Sequence, residues 1–244
     1  MKIVSYILSS IFAFFFFLVL LIFHPLQWIS FTVFGINAHK KVVDIMNWFL
    51  VKNLLFLGVP VSFKQTANIP LGKTVIFASN HQSMFDIPPI IWYLRKHHPK
   101  FVSKIELGKG IPSISYNLRH GGGALIDRKD RNQAINELEN FAKRIHENKW
   151  SAVIFPEGTR SRDGNPKAFA TGGLKAIINH NPEAYIVPIT INNSWKIFKY
   201  KGGFPFGVFS PITVETHAPI PLKDADISQV LKTVEAQIKR KITV

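Results

Sequence analysis

The feature that most constrains the fold is an apolar segment from Ile3 to Phe23, which carries six phenylalanines and no charged side chain. As a helix rising 1.5 Å per residue it would be roughly 30 Å long, about the thickness of a bilayer's hydrocarbon core. A cleaved signal peptide would require a small-x-small site after the apolar run. The residues that follow, 24–30, contain no such site. The segment therefore predicts an uncleaved, membrane-associated helix.

The apolar character continues beyond this helix. The His24-Pro25 pair predicts a break, after which Leu26 to Ile36 is apolar and Val42 to Val59 is amphipathic. Two arrangements remain open: a spanning helix followed by an interfacial helix, or a helical hairpin that enters one leaflet only. The Lys40-Lys41 pair and the basic remainder of the chain indicate that the globular part lies on the cytoplasmic face of the membrane.

Length and charge define the broad class. The chain has 244 residues, a formal net charge of +15 and no cysteine. It predicts membrane helices over 1–59 and one globular domain over 60–244. A basic protein binds polyanions such as nucleic acid, anionic lipid surfaces or phosphorylated substrates. The dispersed lysines and the apolar segment disfavour nucleic acid. The lack of cysteine excludes disulfides, thiolate nucleophiles and cysteine-rich zinc sites, and no histidine pattern implies a metal.

Strand-like and helix-like runs alternate downstream of residue 60, which predicts an α/β fold with a mixed, mostly parallel sheet flanked by helices. The expected strands are 74–79, 101–103, 123–126, 152–155, 185–191 and 212–216, and the expected helices are 88–95, 132–148, 174–179 and 227–242. Ligands of open α/β sheets bind at the carboxyl ends of the strands. The two most informative motifs both follow expected strands directly.

The first motif places His81 five residues before Asp86, after the strand 74–79. In a regular helix these side chains would point about 140° apart, so they meet only if the backbone turns between them. Asp86 would then hold the proton on one imidazole nitrogen and leave the other free to accept a proton from a hydroxyl. The alternative is a helix cap with a surface carboxylate. His39 and Asp44 share the spacing without a preceding strand, and we interpret them as a solvated face at the membrane edge.

The second motif is Phe155-Pro-Glu-Gly-Thr-Arg160. A turn at Gly158 lets backbone amides face an anion, and the Arg160 guanidinium suits phosphate oxygens. Glu157 is placed to hold that guanidinium. The alternative interpretation is a strand-ending loop with a solvated salt bridge.

Two further cations, Lys104 and Arg128, each end an expected strand. They are predicted to lie at the same sheet edge as His81 and Arg160, where they either bind phosphate or remain ordinary exposed cations.

Taken in order, the motifs resemble the successive blocks of the glycerolipid acyltransferases, in particular the 1-acyl-sn-glycerol-3-phosphate (lysophosphatidic acid) acyltransferases. The matching blocks are His81-x4-Asp86, Lys104-x-Glu-Leu107, Gly123-x-x-Ile-Asp-Arg128, Phe155 to Arg160 and Val187-Pro-Ile189. The resemblance extends from about residue 60 to 220.

The resemblance implies that His81 is the general base and Asp86 its orienting partner. The reaction would transfer a fatty acyl group from acyl-CoA or acyl-carrier protein to the sn-2 hydroxyl of 1-acyl-glycerol-3-phosphate, without a cofactor, metal or covalent acyl-enzyme. The residues that would bind the substrate phosphate are Glu157, Gly158, Thr159, Arg160, Lys104 and Arg128. Val187 and Pro188 would border the acyl-binding region. The partners would be the membrane lipid, the lysolipid and the acyl donor.

One position departs from the resemblance. Ala170 stands where members of the family often have lysine, and Lys167 or Lys175 is a candidate replacement. This departure keeps a second acceptor open, either another lysophospholipid or a lyso-aminolipid. A non-catalytic protein that binds anionic lipid is the alternative from a different class.

Overall fold

The computed structural model describes residues 2–200 and 202–243. Its helices are α1 Lys2–Asn53, α2 Ile87–Tyr93, α3 Ile114–His120, α4 Arg131–Asn148, α5 Gly172–Asn179 and α6 Ile227–Lys241. Its strands are β1 Val61–Gln65, β2 Val75–Ser79, β3 Pro99–Lys104, β4 Ala124–Ile126, β5 Ser151–Ile154, β6 Tyr185–Asn192, β7 Ile212–Thr216 and β8 Ile220–Pro221. The sequence pattern locates each of the expected strands and helices to within a few residues but gives no indication of β1, β8 or α3.

The strands form one mixed sheet in the order β1-β7-β6-β2-β5-β3-β4, and β8 pairs with β6. Strands β6, β2, β5, β3 and β4 run parallel, whereas β7 and β8 are antiparallel to β6. The predicted fold class is therefore confirmed. The carboxyl ends of the five parallel strands lie at one edge of the sheet, and this edge carries the site.

Helices cover both faces of the sheet. Side chains of β2 alternate between the two faces, so that Val75 and Phe77 belong to one buried cluster and Ile76 and Ala78 to the other. The first cluster includes residues of α1 and α2, and the second includes residues of α4, α5 and α6. Every residue of β2 is buried, which explains the uninterrupted apolar run in its sequence.

The long helix α1 consists of two arms that meet at Gly35, whose φ of 77° and ψ of −172° are not helical. The chain reverses there, at a positive φ that favours glycine. The predicted break at His24-Pro25 is wrong, because the helix continues through Pro25. The helical turn around Pro25 is held by Ser113. Its hydroxyl donates to the Leu20 carbonyl oxygen (2.5 Å), and its amide donates to the His24 ring (3.0 Å).

The two arms pack antiparallel as a hairpin. Asn53 donates to the carbonyl oxygen of Phe12, and Leu20 and Phe23 pack with Met46 and Leu50 nearer the turn. The segment Lys2–Leu57 is, by length and composition, the one helical stretch of the described chain that could cross a membrane. Its outer side exposes apolar residues along its length, which suits membrane association; they include Phe14, Phe17, Leu21, Trp28 and Phe34.

Candidate active site at the carboxyl edge of the sheet

The site begins where β2 ends. Asn80 is buried, and its side-chain amide exchanges two hydrogen bonds with the backbone of Ile191 in β6, each 2.8 Å long. This pairing replaces the next rung of the β2–β6 ladder and fixes the direction in which the chain leaves the sheet. His81 follows at once.

The backbone turns between His81 and Asp86, as their contact requires. A 3₁₀ turn over Met84–Asp86 follows Ser83, whose hydroxyl accepts from the Phe85 amide at 3.1 Å. The turn brings His81 Nδ1 within 2.8 Å of the Asp86 carboxylate. The contact predicted from the strand-to-helix junction is therefore present in the structure.

The Asp86 carboxylate is fully buried and has a partner on each oxygen. Its Oδ2 accepts from the backbone amides of Gln82 and Ser83, at 2.7 and 2.9 Å, in addition to facing His81. Its Oδ1 accepts from the hydroxyl of Ser194. This set of donors satisfies a buried charge and fixes the carboxylate plane, so Nδ1 of His81 faces an acceptor and carries the proton.

The other nitrogen of the His81 ring, Nε2, has no hydrogen bond within residues 2–200 and 202–243. The ring stacks on Phe155 with centroids 4.0 Å apart and planes at 15°, and its side chain is 13% exposed. An imidazole held in this way directs a ring nitrogen without a hydrogen-bond partner in the described chain to the sheet edge, where it could accept a proton from a hydroxyl.

Glu157 joins the two motifs. One carboxylate oxygen accepts from the His81 amide at 2.9 Å and the other from the Lys167 amide at 3.0 Å. The expectation that Glu157 holds the Arg160 guanidinium is wrong, because both oxygens bind backbone amides instead. Burial raises the pKa of Glu157, and these two hydrogen bonds act against the increase.

The second motif contains the turn that its glycine predicts, directly after Glu157. Gly158 has a φ of 69° and open space where a side chain would begin, so backbone conformation rather than crowding favours glycine there. The Lys167 ammonium donates to the Thr159 hydroxyl at 2.8 Å and to the Arg160 carbonyl oxygen at 3.0 Å. The side chain named as a replacement for the lysine absent at Ala170 thus lies on this turn.

Arg160 lies next to the catalytic candidates. The amide of Ser161, the following residue, donates to the carbonyl oxygen of His81 at 2.7 Å. Desolvation lowers the pKa of Arg160, and the negative charge of Asp86 acts against the decrease. The backbone bond between Ser161 and His81 therefore brings the two motifs together at one edge of the sheet.

Lys104 and Arg128 lie at the predicted edge but farther away. Both are exposed, and neither side chain forms a hydrogen bond or ion pair within the described part of the chain. Strand β5 separates β3 from β2, and β4 lies beyond β3. At about 4.8 Å between neighbouring strands, Lys104 starts about 10 Å and Arg128 about 15 Å from the axis of β2.

An apolar cavity of about 160 Å³ lies between the second arm of α1, α2, α3 and strand β3. Arg160 lines it beside Met84 and Phe85, and its apolar wall includes Val43, Leu50, Phe101, Leu107 and Ile114. Val187 and Pro188, expected at the border of an acyl site, are instead buried in the middle of the sheet and are not among its lining residues.

Two residues of the site have no signal in the sequence. Ser194 lies more than a hundred residues from Asp86 along the chain, and its hydroxyl and amide bond Asp86 and Gln82 respectively. Phe155 belongs to the second motif, but only the packing shows that its ring supports His81. An α/β prediction does not determine which strands lie beside β2: Ser194 follows its neighbour β6, and Phe155 follows its other neighbour β5.

Comparison with known proteins gives a consistent result. The family model described as Acyltransferase matches residues 60–192. The chain is 32% identical over 174 residues to a 1-acyl-sn-glycerol-3-phosphate acyltransferase of Helicobacter pylori, with 66% of this chain and 70% of that protein covered. It is 31% identical over 159 residues to a protein of the same name from Haemophilus influenzae, covering 64% of this chain and 62% of that one.

The fold has a counterpart among solved structures. The crystal structure of the 1-acyl-sn-glycerophosphate (LPA) acyltransferase PlsC from Thermotoga maritima superimposes with a TM-score of 0.80. The superposition covers 98% of this chain and 95% of that one, at 24% sequence identity. The shared architecture therefore includes the N-terminal hairpin as well as the sheet.

Proposed function

Because this chain belongs to the acyltransferase family, we propose that it transfers a fatty acyl group to the sn-2 hydroxyl of 1-acyl-glycerol-3-phosphate, giving phosphatidic acid. The relatives named for this reaction support the choice of acceptor. The acyl donor is a thioester, either acyl-CoA or acyl-carrier protein. The observation that carries the proposal is the imidazole of His81, held 2.8 Å from a buried carboxylate with its second nitrogen free.

His81 acts as the general base. Its Nε2 takes the proton from the acceptor hydroxyl as the oxygen attacks the thioester carbonyl carbon. The tetrahedral intermediate collapses, the carbon–sulfur bond breaks, and the thiolate leaves and takes up the proton from the His81 imidazolium. Asp86 stabilises that imidazolium and keeps the ring in the tautomer whose Nε2 is free.

The acceptor phosphate binds at the 157–160 turn. The cations there are Arg160 and, through its contacts with Thr159, Lys167. Glu157 supports this site indirectly, since it connects the turn to the His81 backbone. Lys104 and Arg128 are exposed farther along the same edge, where they add positive potential rather than direct contacts.

The apolar cavity is the candidate site for part of an acyl chain, since its volume of about 160 Å³ is smaller than a whole fatty chain. It extends from Arg160 beneath the α1 hairpin, so a chain inside it would leave its polar end near the site. The Lys40-Lys41 pair supports an orientation with the site on the cytoplasmic face.

A panel of lysolipids tests the acceptor. Purified protein is assayed with acyl-CoA and with acyl-carrier protein, and the highest kcat/KM is expected with 1-acyl-glycerol-3-phosphate. Ala170 keeps a second acceptor in the panel, because a lyso-aminolipid or another lysophospholipid would need fewer cations. A higher kcat/KM with such a lipid would make that lipid the acceptor instead of 1-acyl-glycerol-3-phosphate. No turnover with any lipid of the panel would contradict the assignment as an enzyme.

Arg160→Ala tests the phosphate site. It should raise KM for the phosphorylated acceptor roughly ten-fold or more while leaving KM for the donor unchanged, since a charge-assisted hydrogen bond is lost only to the acceptor. The exposed Arg128, changed in the same way, is the control, with an expected change of about two-fold or less. A change in KM for the acyl donor alone would show that Arg160 binds the donor rather than the acceptor phosphate.

A further inference from the structure

Two phenylalanines of one loop near the site leave much of their side-chain surface exposed. In the segment 202–209, termed here the phenylalanine loop, Phe204 is 44% and Phe209 is 58% exposed. Phe206 between them points inward and packs on Phe12 at 5.2 Å. Large apolar side chains presented together at a surface mark a contact site.

The exposed rings are held in place by the N-terminal hairpin. The amide of Phe206 donates to the Ser9 hydroxyl at 2.8 Å, and Tyr6 packs on the Phe204 ring at 5.6 Å. The Phe209 amide donates to the Leu57 carbonyl oxygen at 3.0 Å. The loop is therefore fixed both to the start of the first arm of α1 and to the short segment that follows the second arm.

This end of the hairpin is itself apolar and exposed. Ile3 and Ile7 on the first arm are exposed, as are Leu55 and Phe56 just after the second. The loop extends this surface outward from the helices. Lys196 and Lys199 precede the loop, and each ammonium lies over the ring of the adjacent aromatic residue, Trp195 and Tyr200. Aromatic residues beside lysines, in a chain of net charge +15, suit the interface of an anionic bilayer.

We propose that the phenylalanine loop is a second membrane-contacting element, which inserts Phe204 and Phe209 into an anionic bilayer beside the end of the hairpin. The loop follows β6 at the carboxyl edge of the sheet. The turn that leads to it, Ser194–Phe198, contacts Asp86 through Ser194 and stacks Phe198 on Phe85 at 5.7 Å. Insertion of the loop therefore places the His81 site at the bilayer surface, where a lysolipid headgroup lies.

The absence of cysteine makes the test direct, because any introduced cysteine is the only one. Full-length Phe204→Cys and Phe209→Cys proteins are labelled with an environment-sensitive fluorophore and reconstituted into phosphatidylcholine vesicles containing roughly a fifth phosphatidylglycerol. Nitroxide-bearing lipids then quench labels that contact the acyl region. We expect both labels to lose roughly half or more of their fluorescence, as a label at Phe14 of the hairpin should.

Two matched controls report surfaces away from the membrane. Leu71, 62% exposed, precedes β2 at the opposite edge of the sheet, and Ile135, 39% exposed, lies on α4 on the other face. Labels at these positions should keep their fluorescence. Quenching at 204 and 209 no greater than at 71 and 135 would overturn the proposal.

Two further outcomes are decisive. Labels at 204 and 209 that are shielded in detergent but unaffected by nitroxide lipid would show that a second copy of the chain covers the loop, which overturns the bilayer as its partner. Vesicles of phosphatidylcholine alone should give weaker quenching at the loop, since Lys196 and Lys199 then lose their anionic partners. Equal quenching in both vesicles would overturn the preference for anionic lipid.

Discussion

The molecule contains two histidine–aspartate pairs with the same spacing, and only one of them forms a contact. His39 and Asp44 lie on the second arm of α1, where His39 Nε2 faces the Gln27 side chain at 3.3 Å and Asp44 pairs with Lys40 at 2.6 Å. His81 and Asp86 flank a strand-to-helix turn and meet at 2.8 Å. Within the first pair the helix directs the two side chains to different neighbours.

Burial does not distinguish the two pairs. The expectation of a solvated face for His39 and Asp44 is wrong, because these residues are 1% and 7% exposed. Packing of α1 against α2 and α3 covers them. What distinguishes the pairs is the local backbone: a turn aims the carboxylate at the ring, and backbone amides hold it there. A spacing motif predicts chemistry only together with the element on which it lies.

His81→Ala should have the largest effect in this comparison. Loss of the general base should lower kcat roughly a thousand-fold, since such groups typically contribute 10²–10⁴. His39→Ala, normalised to folded protein, should keep kcat within about three-fold. Acyl transfer is measured on both proteins after circular dichroism and vesicle binding confirm folding and membrane association.

The same assay has two outcomes that would contradict the distinction drawn between the two pairs. Retained turnover in the His81 variant would remove the base from the mechanism, and an equal loss in the His39 variant would show that both pairs serve the reaction.

Asp86→Asn should come next, with kcat lowered roughly a hundred-fold. The amide is nearly the same size, but it does not stabilise the imidazolium and can donate to Nδ1, which would move the ring proton to Nε2. KM values for both substrates should change little, because neither substrate touches Asp86. A change in KM alone, measured by varying each substrate in turn, would assign Asp86 to binding instead.

Ser194→Ala should have an intermediate effect, lowering kcat about ten-fold. Its hydroxyl is the donor to Asp86 Oδ1, and without it that carboxylate oxygen loses its hydrogen bond and the carboxylate is less well oriented toward His81. The loss should appear in kcat, with little change in KM for either substrate, when each substrate is varied in turn. Ser151→Ala is the matched control, because Ser151 is also fully buried but its hydroxyl has no hydrogen-bond partner in the described chain.

A double-mutant cycle isolates the contact between Ser194 and Asp86. In the Asp86→Asn background, removal of the Ser194 hydroxyl should cost little further activity, since the group it orients is already changed. Additive losses in the two variants would mean that Ser194 acts elsewhere. Ser194→Cys, with similar volume and a weaker donor, should lie between the wild type and the alanine variant.

The sequence is sufficient for those parts of the site that lie on one stretch of chain. The apolar run of β2, the turn after it and the glycine at 158 are local signals, and together they predict the His81–Asp86 contact and the loop of Arg160. The roles of Ser194 and Glu157 depend on contacts between distant segments. They follow from the strand order and the path of the loops, which local patterns do not determine. Likewise Pro25 is a strong breaker locally, but contacts from Ser113 hold its helix.

The smallest expected effect is that of Asp44→Asn. Its pairing with Lys40, four residues earlier on the helix, is partly buried, but burial also disfavours the charge, so loss of the pair should change the free energy of unfolding by about 0.5 kcal/mol or less. The thermal midpoint would move by about 2 °C or less while kcat stays unchanged, because this carboxylate orients no ring. Thermal unfolding in detergent, followed by activity at a temperature where both proteins are folded, separates the two quantities. A loss of kcat as large as that of Asp86→Asn would show that spacing, rather than the backbone turn, is what the reaction requires.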